Sequence, residues 1–230
     1  MARFVRRGVP ALIVLAAALS GGCPDPAGDA PAATVGAPSS GAAGGGASAG
    51  ALSAGAAATA GGVETLSFGP PDSSVGFVGA KVTGKHEGSF TAFKGTLTFD
   101  PAHLEASRVS ADIDAASVTI PDNDKLTNHL KSPDFFDVAK FPRATFTSTA
   151  VVPGAAAGAY TITGDLTLHG VTKSISFPAT ITAAPDAVTA SAEFSLNRKD
   201  FGIVYPGMPD DLISDLVLLK LAIRAPRAAR

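Results

Sequence analysis

The chain of 230 residues has no tryptophan, one cysteine (Cys23) and no basic block. Each shortage excludes something. A lone cysteine cannot close an internal disulfide, so the fold must stand on its core. A net charge of −2 without a basic block gives a nucleic-acid surface little support. The four histidines, His86, His103, His129 and His169, are scattered, and none forms an H-x-x-x-H arrangement, so clustered metal ligands are missing. Charged residues make up only 17% against 46% hydrophobic, enough apolar content for one domain or two small ones. Much of that hydrophobic share, however, is alanine in the first sixty residues.

Three regions follow from composition. The start, MARFVRRGVPALIVLAAALSGGC, has Arg3, Arg6 and Arg7 ahead of an apolar run from Val9 to Leu19. That run suits a secretory h-region and is too short to cross a bilayer. Cys23 stands directly after Gly21 and Gly22, which resembles a bacterial lipoprotein signal, residues 1–22, with Cys23 as the acylated residue. Leu19 lies one place further from the cysteine than in the usual pattern, with Ser20 in its slot. The alternative is ordinary cleavage, for instance after Ala16-Ala17-Ala18, leaving a free thiol. Either route exports the protein, and losing the three arginines takes the net charge from −2 to about −5. Pro24 directly after Cys23 points weakly to outer-membrane sorting in a host with two membranes.

Residues 23–62 are nearly all Ala, Gly, Ser, Thr and Pro, with Asp25 and Asp29 the only charges. Such a stretch buries too little to offset its ordering entropy and reads as a disordered linker, with a mean reach on the order of 35 Å. Within it GASAG, Gly46 to Gly50, matches a G-x-S-x-G hydrolase pattern at Ser48, but lacks the strand and helix such an elbow needs.

From Val63 to Arg230 the composition turns to dense Thr, Val, Ile, Phe and Ser with period-two alternation. Tyr160, Ile162, Leu166 and Leu168 share one face, with Thr161, Thr163, Asp165 and Thr167 on the other; Ile175, Phe177, Ala179 and Ile181 alternate in the same way. The pattern predicts half-buried antiparallel strands, about eight of them: near 63–68, 73–83, 87–99, 107–119, 143–152, 159–169, 172–183 and 188–197. A ninth run covers 213–224. A sandwich and a closed barrel both fit this spacing. Small inward residues (Ala111, Gly164, Ala179, Ala192) favour an all-β barrel that keeps room for a ligand.

The one helical window is DNDKLTNHLKS, Asp122 to Ser132, with Leu126 and Leu130 four apart and Pro133 ending it. With Phe135 and Phe136 it reads as a lid whose two rings press onto an open barrel end, contributing about 2 to 3 kcal/mol each. A plain core plug without gating fits the same residues.

Three ordered stretches carry a resemblance. HLKSPDFFDVAKFP (His129 to Pro142) with the following TFTS, GDLTLHGVTK (Gly164 to Lys173) and LNRKDFGI (Leu196 to Ile203) are similar to the successive signatures of the YceI-like family of exported bacterial lipid-binding proteins. The resemblance spans about residues 63–226. It implies an eight-stranded, antiparallel, lipocalin-like β-barrel whose apolar channel binds polyisoprenoid chains, such as prenyl quinones or prenyl phosphates, in the periplasm or cell envelope. On this view Phe135, Phe136, Phe146, Leu166, Leu168, Phe177 and Phe194 line the ligand site, with His129 and Arg198 at its polar edge. Arg198 otherwise ties the rim by ion pairing. Many relatives carry Arg-Asp just before the His-Leu of the lid, where this chain has Leu126 and Thr127, which shifts the expectation towards an uncharged head group. YPGMPDDLISD, Tyr205 to Asp215, reads as a subgroup variant.

No motif demands a reaction. Asp134 and Asp137 flank the phenylalanines as capping or solvated carboxylates, His169 precedes Gly170 in a tight turn, and Asp210, Asp211 and Asp215 lack the spacing of a calcium loop. No cofactor is implied, and a rim near Asp210 to Asp215 offers a place for copies to pair. At about 0.8 kcal/mol per CH₂, a forty-carbon tail taken from water would release close to 30 kcal/mol, beyond the practical ceiling of about 18 to 21. The real competitor is therefore the bilayer, and a near-balanced exchange suits a carrier. Three functions stay open: a lipid-binding module, a lipid-modifying enzyme with His129 as its base, and a filled barrel that meets a partner in the envelope.

Overall fold

The computed structural model describes residues 25–39 and 62–228. The alternating stretches form an antiparallel sheet of long strands: β1 (Thr34–Gly36), β2 (Glu64–Phe68), β3 (Ser74–Lys81), β4 (Gly84–Phe90), β5 (Phe93–Phe99), β6 (Arg108–Asp114), β7 (Val118–Thr119), β8 (Arg143–Pro153), β9 (Ala159–Leu168), β10 (Val171–Ala183), β11 (Ala187–Asn197), β12 (Gly207–Met208) and β13 (Asp211–Pro226). The single helix, α1 (Asp124–Lys131), lies between β7 and β8. The sheet runs β2-β5-β6-β8-β9-β10-β11-β13-β3-β4-β7 and curls on itself as a lipocalin-like barrel. Arg227 clasps the Glu64 carboxylate with Nε and one terminal nitrogen, and Ser73 exchanges hydrogen bonds with the Arg224 backbone, bringing β13 against the start of the sheet.

More strands form than the eight expected. The run 87–99 divides where the chain bends at Thr91 and Ala92, without Gly or Pro to mark the bend. Their amides donate instead to the Ser117 carbonyl and hydroxyl, a partner far along the chain. The run 107–119 divides similarly, at a turn of 3-10 helix over Ala115–Ser117 whose Asp114 carboxylate accepts from the Ala116 amide. The ninth run becomes β13, which is paired along most of its length on both sides.

One seam is unusual. β10 and β11 pair only from Thr180↔Ser191 to Ala183↔Val188, and beyond that fork they part. Strand β1 fills the gap: Thr34 to Gly36 pair with Ser176 to Ser174 of β10, while Ala32 bridges Ser195 of β11 in parallel. Ala33 donates to the Ser195 carbonyl at 2.8 Å, and the Ser195 amide donates to Pro31 at 2.9 Å. Residues 25–39 therefore depart from the disordered linker expected over 23–62. Their composition is too poor in side chain to order alone, but the open fork supplies unpaired backbone partners, and Ala33 and Val35 pack against the apolar cluster behind it. Residues 40–61, with Ser48, and residues 1–24, with Cys23, lie outside the described residues.

Inside the barrel, apolar side chains form three layers. Leu66, Phe68, Phe99, Val188 and Ala225 fill the end near the β2 start. Ile162, Ile175, Phe177, Phe194, Leu196 and Phe201 occupy the middle. Phe77, Ile120, Leu130, Phe135 and Ile203 gather under α1. Several inward glycines seat rings: a Cβ at Gly95 would stand 1.9 Å from Cζ of Phe68, and one at Gly164 2.4 Å from Cζ of Phe146. The small residue at Gly164 thus makes room for an aromatic ring, whereas Ala111, Ala179 and Ala192 border open space.

Candidate functional site: the channel and its lid

A cavity of about 670 Å³ runs through the barrel, within the range of roughly 300 to 1,000 Å³ common for ligand pockets. Its wall along β13 includes Ile213, Val217, Leu219, Leu221, Ile223 and Ala225. At about 3.3 Å per strand residue, that series extends on the order of 40 Å, so the space is long and narrow. Phe146, Leu166, Leu168, Phe177 and Phe194 all line it, as the alternation predicts. They surround the space and do not plug it. Phe177 stacks on Phe194 with centroids 4.2 Å apart and tilts against Phe146 at 5.8 Å.

The lid is built from local chemistry. Asn123 caps α1 by accepting from the Leu126 amide at 3.0 Å, and the Ser132 hydroxyl closes the far end on the His129 carbonyl at 2.7 Å. The chain then folds back, with the Phe136 amide donating to the Leu130 carbonyl. This turns Phe135 and Phe136 onto the cavity. Phe135 is buried against His129 and Tyr205, with centroids at 5.0 and 5.4 Å, and Phe136 meets Phe90 edge-on at 5.6 Å. Lid and barrel are thus joined by rings, with Tyr205 contributed from outside the insert.

Polar groups on the wall gather mostly at the lid end. His129 lines the cavity while its Nε2 lies 3.0 Å from an Asp134 oxygen. Arg198 also reaches the wall, but its donors go to the carbonyls of Ser214 (2.9 Å), Ile203 (2.8 Å) and Ile213 (3.3 Å), with Asp215 at 3.5 Å. Burial pulls its pKa below the usual guanidinium value, partly opposed by the Asp215 charge. It ties the Ile203 segment to the start of β13 at Ile213 and Ser214. Lys81 and Asp211 pair at the mouth, where Asp211 also accepts from the Thr83 amide and hydroxyl. The Lys81 hydrogen bond is the chief reason that the Asp211 carboxyl is held below the usual carboxylate range. His86 and Lys125 complete this end. Leu126 lines the cavity, and Thr127 turns to accept from the Ile120 amide at 2.9 Å.

The remaining candidates serve structure. His169 has a left-handed backbone (φ 51°), places Nδ1 3.2 Å from the Phe201 carbonyl and meets Phe141 edge-on. Asp215 meets Lys199 at 2.8 Å. Among the described residues no three His, Cys, Asp or Glu side chains come together as metal ligands. Sequence reasoning missed Phe77, Lys81 and Tyr205. The first two were available from the β3 alternation Val75, Phe77, Gly79, Lys81, all on the cavity wall. Tyr205 sits in a loop without periodicity, and only the fold brings it to the lid.

Residues 67–225 match the YceI-like domain. A UPF0312 protein of Pseudomonas putida strain W619 is 41% identical over 126 residues, 52% of this chain and 65% of that protein. The chain thus matches just under two thirds of the length of such curated relatives. Among solved structures, Burkholderia cenocepacia BcnA is 27% identical with a TM-score of 0.60, covering 66% of this chain and 96% of that one. A polyisoprenoid binding domain from Saccharophagus degradans, implicated in plant cell wall breakdown, shares the fold at 16% identity, with a TM-score of 0.57 over 72% of this chain and 100% of that one. With its motifs in order and its family domain covering most of the folded part, the chain belongs to the YceI-like family.

Proposed function

We propose that the protein binds one long-chain isoprenoid lipid in this cavity, tail along the barrel and head at the lid end, and carries or stores it in the bacterial cell envelope, held there through an acylated Cys23. The observation that carries this reading is the shape and lining of the cavity: a narrow space extending on the order of 40 Å along β13 and walled by aliphatic and aromatic side chains. A compact ligand would leave most of that length empty. The polyisoprenoid binding domain that shares the fold supports the same class.

An uncharged head, such as a prenyl quinone, fits this chain better than a phosphate. Lys81 is neutralised by Asp211 and Arg198 is spent on carbonyls, while Leu126 presents an aliphatic group where many relatives carry arginine. His86 and Lys125 remain at that end to hydrogen-bond a quinone carbonyl. Binding rather than turnover is the activity, and His129 serves the lid. Titrating the lipid-free protein with prenyl quinones and prenyl phosphates of increasing tail length tests this. Affinity should rise with each isoprene unit until the channel is full, with quinones preferred. Length-independent affinity, or a preference for phosphates, would overturn it.

A further inference from the structure

Among the described residues six large apolar side chains are more than half exposed. Four of them, Val82, Val204, Met208 and Leu212, stand on one rim. The Val82 amide donates to the Leu212 carbonyl at 3.1 Å, Met208 pairs with Asp211 next to Leu212, and Val204 lies two residues ahead of Pro206, whose carbonyl accepts from Ile213. The cavity reaches this rim, where Met208, Asp211 and Lys81 line it. The other two exposed side chains, Val63 and Val152, sit at the opposite end, beside Glu64 and Pro153.

The course of the N-terminal segment adds an independent observation. From the β10–β11 fork it runs back over the outer wall, where Ala27 is buried against Val78 and Leu218. At its start Asp25 accepts from the Ser214 hydroxyl at 2.9 Å, two residues from Leu212. Cys23 is two positions ahead of Asp25. A chain advances at most about 3.6 Å per residue, so whatever holds the protein at that cysteine leaves the barrel within about 7 Å of Asp25. Apolar rim, cavity mouth and chain exit share one end of the molecule.

From this we infer that the rim of Val82, Val204, Met208 and Leu212 is a membrane-docking face, which seats the cavity mouth on the lipid bilayer so that a lipid enters or leaves without crossing water. The inference rests on the lipid-binding reading and extends it by assigning the surface and the direction of exchange. Lys81 at the rim is paired with Asp211, and the four exposed apolar side chains are what this end offers a bilayer interior. Docking is therefore carried by apolar insertion.

The absence of tryptophan gives a clean probe. The full exported protein carrying Val82→Trp, and separately Val152→Trp, is bound to vesicles of phosphatidylethanolamine and phosphatidylglycerol with brominated acyl chains. The Val82→Trp probe should shift to the blue and be quenched, while the Val152→Trp probe keeps its aqueous spectrum. Replacing Met208 and Leu212 by Gln should abolish quenching of the Val82→Trp probe. Equal quenching at both positions, quenching only at Val152→Trp, or none at either overturns the docking face. Lipid content measured on the same samples separates the two readings: a loaded protein whose Val82→Trp probe stays unquenched defeats the docking face alone, and a quenched probe on a protein that never holds lipid defeats the binding function alone.

Discussion

Gly95 shows how narrowly single positions are set in this wall. Its missing side chain is the space that the Phe68 ring occupies, so a methyl group there must push the ring out of the layer of Leu66, Phe99 and Val188. Gly95→Ala should cost about 1 to 3 kcal/mol, the usual range for overpacking, read as a lower urea midpoint with an unchanged slope. Phe177 is the converse case. It stacks on Phe194 but also borders the channel, so Phe177→Ala removes ring contacts and widens a space that already exists. The loss should fall at the low end of the roughly 3 to 5 kcal/mol typical for Phe→Ala, in unfolding of the lipid-free protein. A loss well above that range would mean the ring packs as a closed core.

The elements were legible to different degrees, for reasons that individual residues make plain. Strands β9 and β10 follow directly from Ile162, Leu166, Ile175 and Phe177, because period two is a local property. Helix α1 follows from Asn123, Leu126, Leu130 and Pro133 in the same way. Strand β1 was illegible, since nothing in Ala32 to Gly36 resembles a strand until the parted β10 and β11 supply its partners. That origin has a consequence. The Ser195 amide is protected by Pro31, whereas its neighbours Phe194 and Leu196 point their amides towards β13. Removing the residues before 40 should therefore speed hydrogen exchange sharply at Ser195 and leave Phe194 and Leu196 protected. Uniform exchange across all three would show that β1 does not hold the seam. The hairpin of β12 and β13 makes a second element-scale prediction. Because the folded Asp211 carboxyl titrates below its unfolded value near ~4, its pairing stabilises the protein fully above that pH and is lost as pH falls through the depressed value. Thermal midpoints of the wild type and Asp211→Asn should differ by a constant amount at neutral pH and converge in acid.

At the scale of the whole molecule, the fold class and the strand residues Phe146, Leu166, Leu168, Phe177 and Phe194 were readable because inward residues alternate, whereas Phe135, Phe136, His129 and Arg198 rested on the lid window and the family resemblance; all nine border the cavity. The division of labour at the polar end was not readable: Arg198 spends its donors on carbonyls of two separated segments, Ile203 and Ile213-Ser214, and Tyr205 reaches the lid from a loop. What remains is a barrel with a long apolar channel, an aromatic lid and few unneutralised charges at its mouth. A lipid in such a channel exchanges one apolar surrounding for another, so its binding is near balance with the bilayer and favours delivery over permanent storage. The most direct measurement is organic-solvent extraction of the protein purified from its native host, with mass spectrometry of the extract. A single class of long isoprenoid lipid at about one per protein is the predicted result. Repeated recovery of a folded protein with no stoichiometric long-chain species would contradict the account.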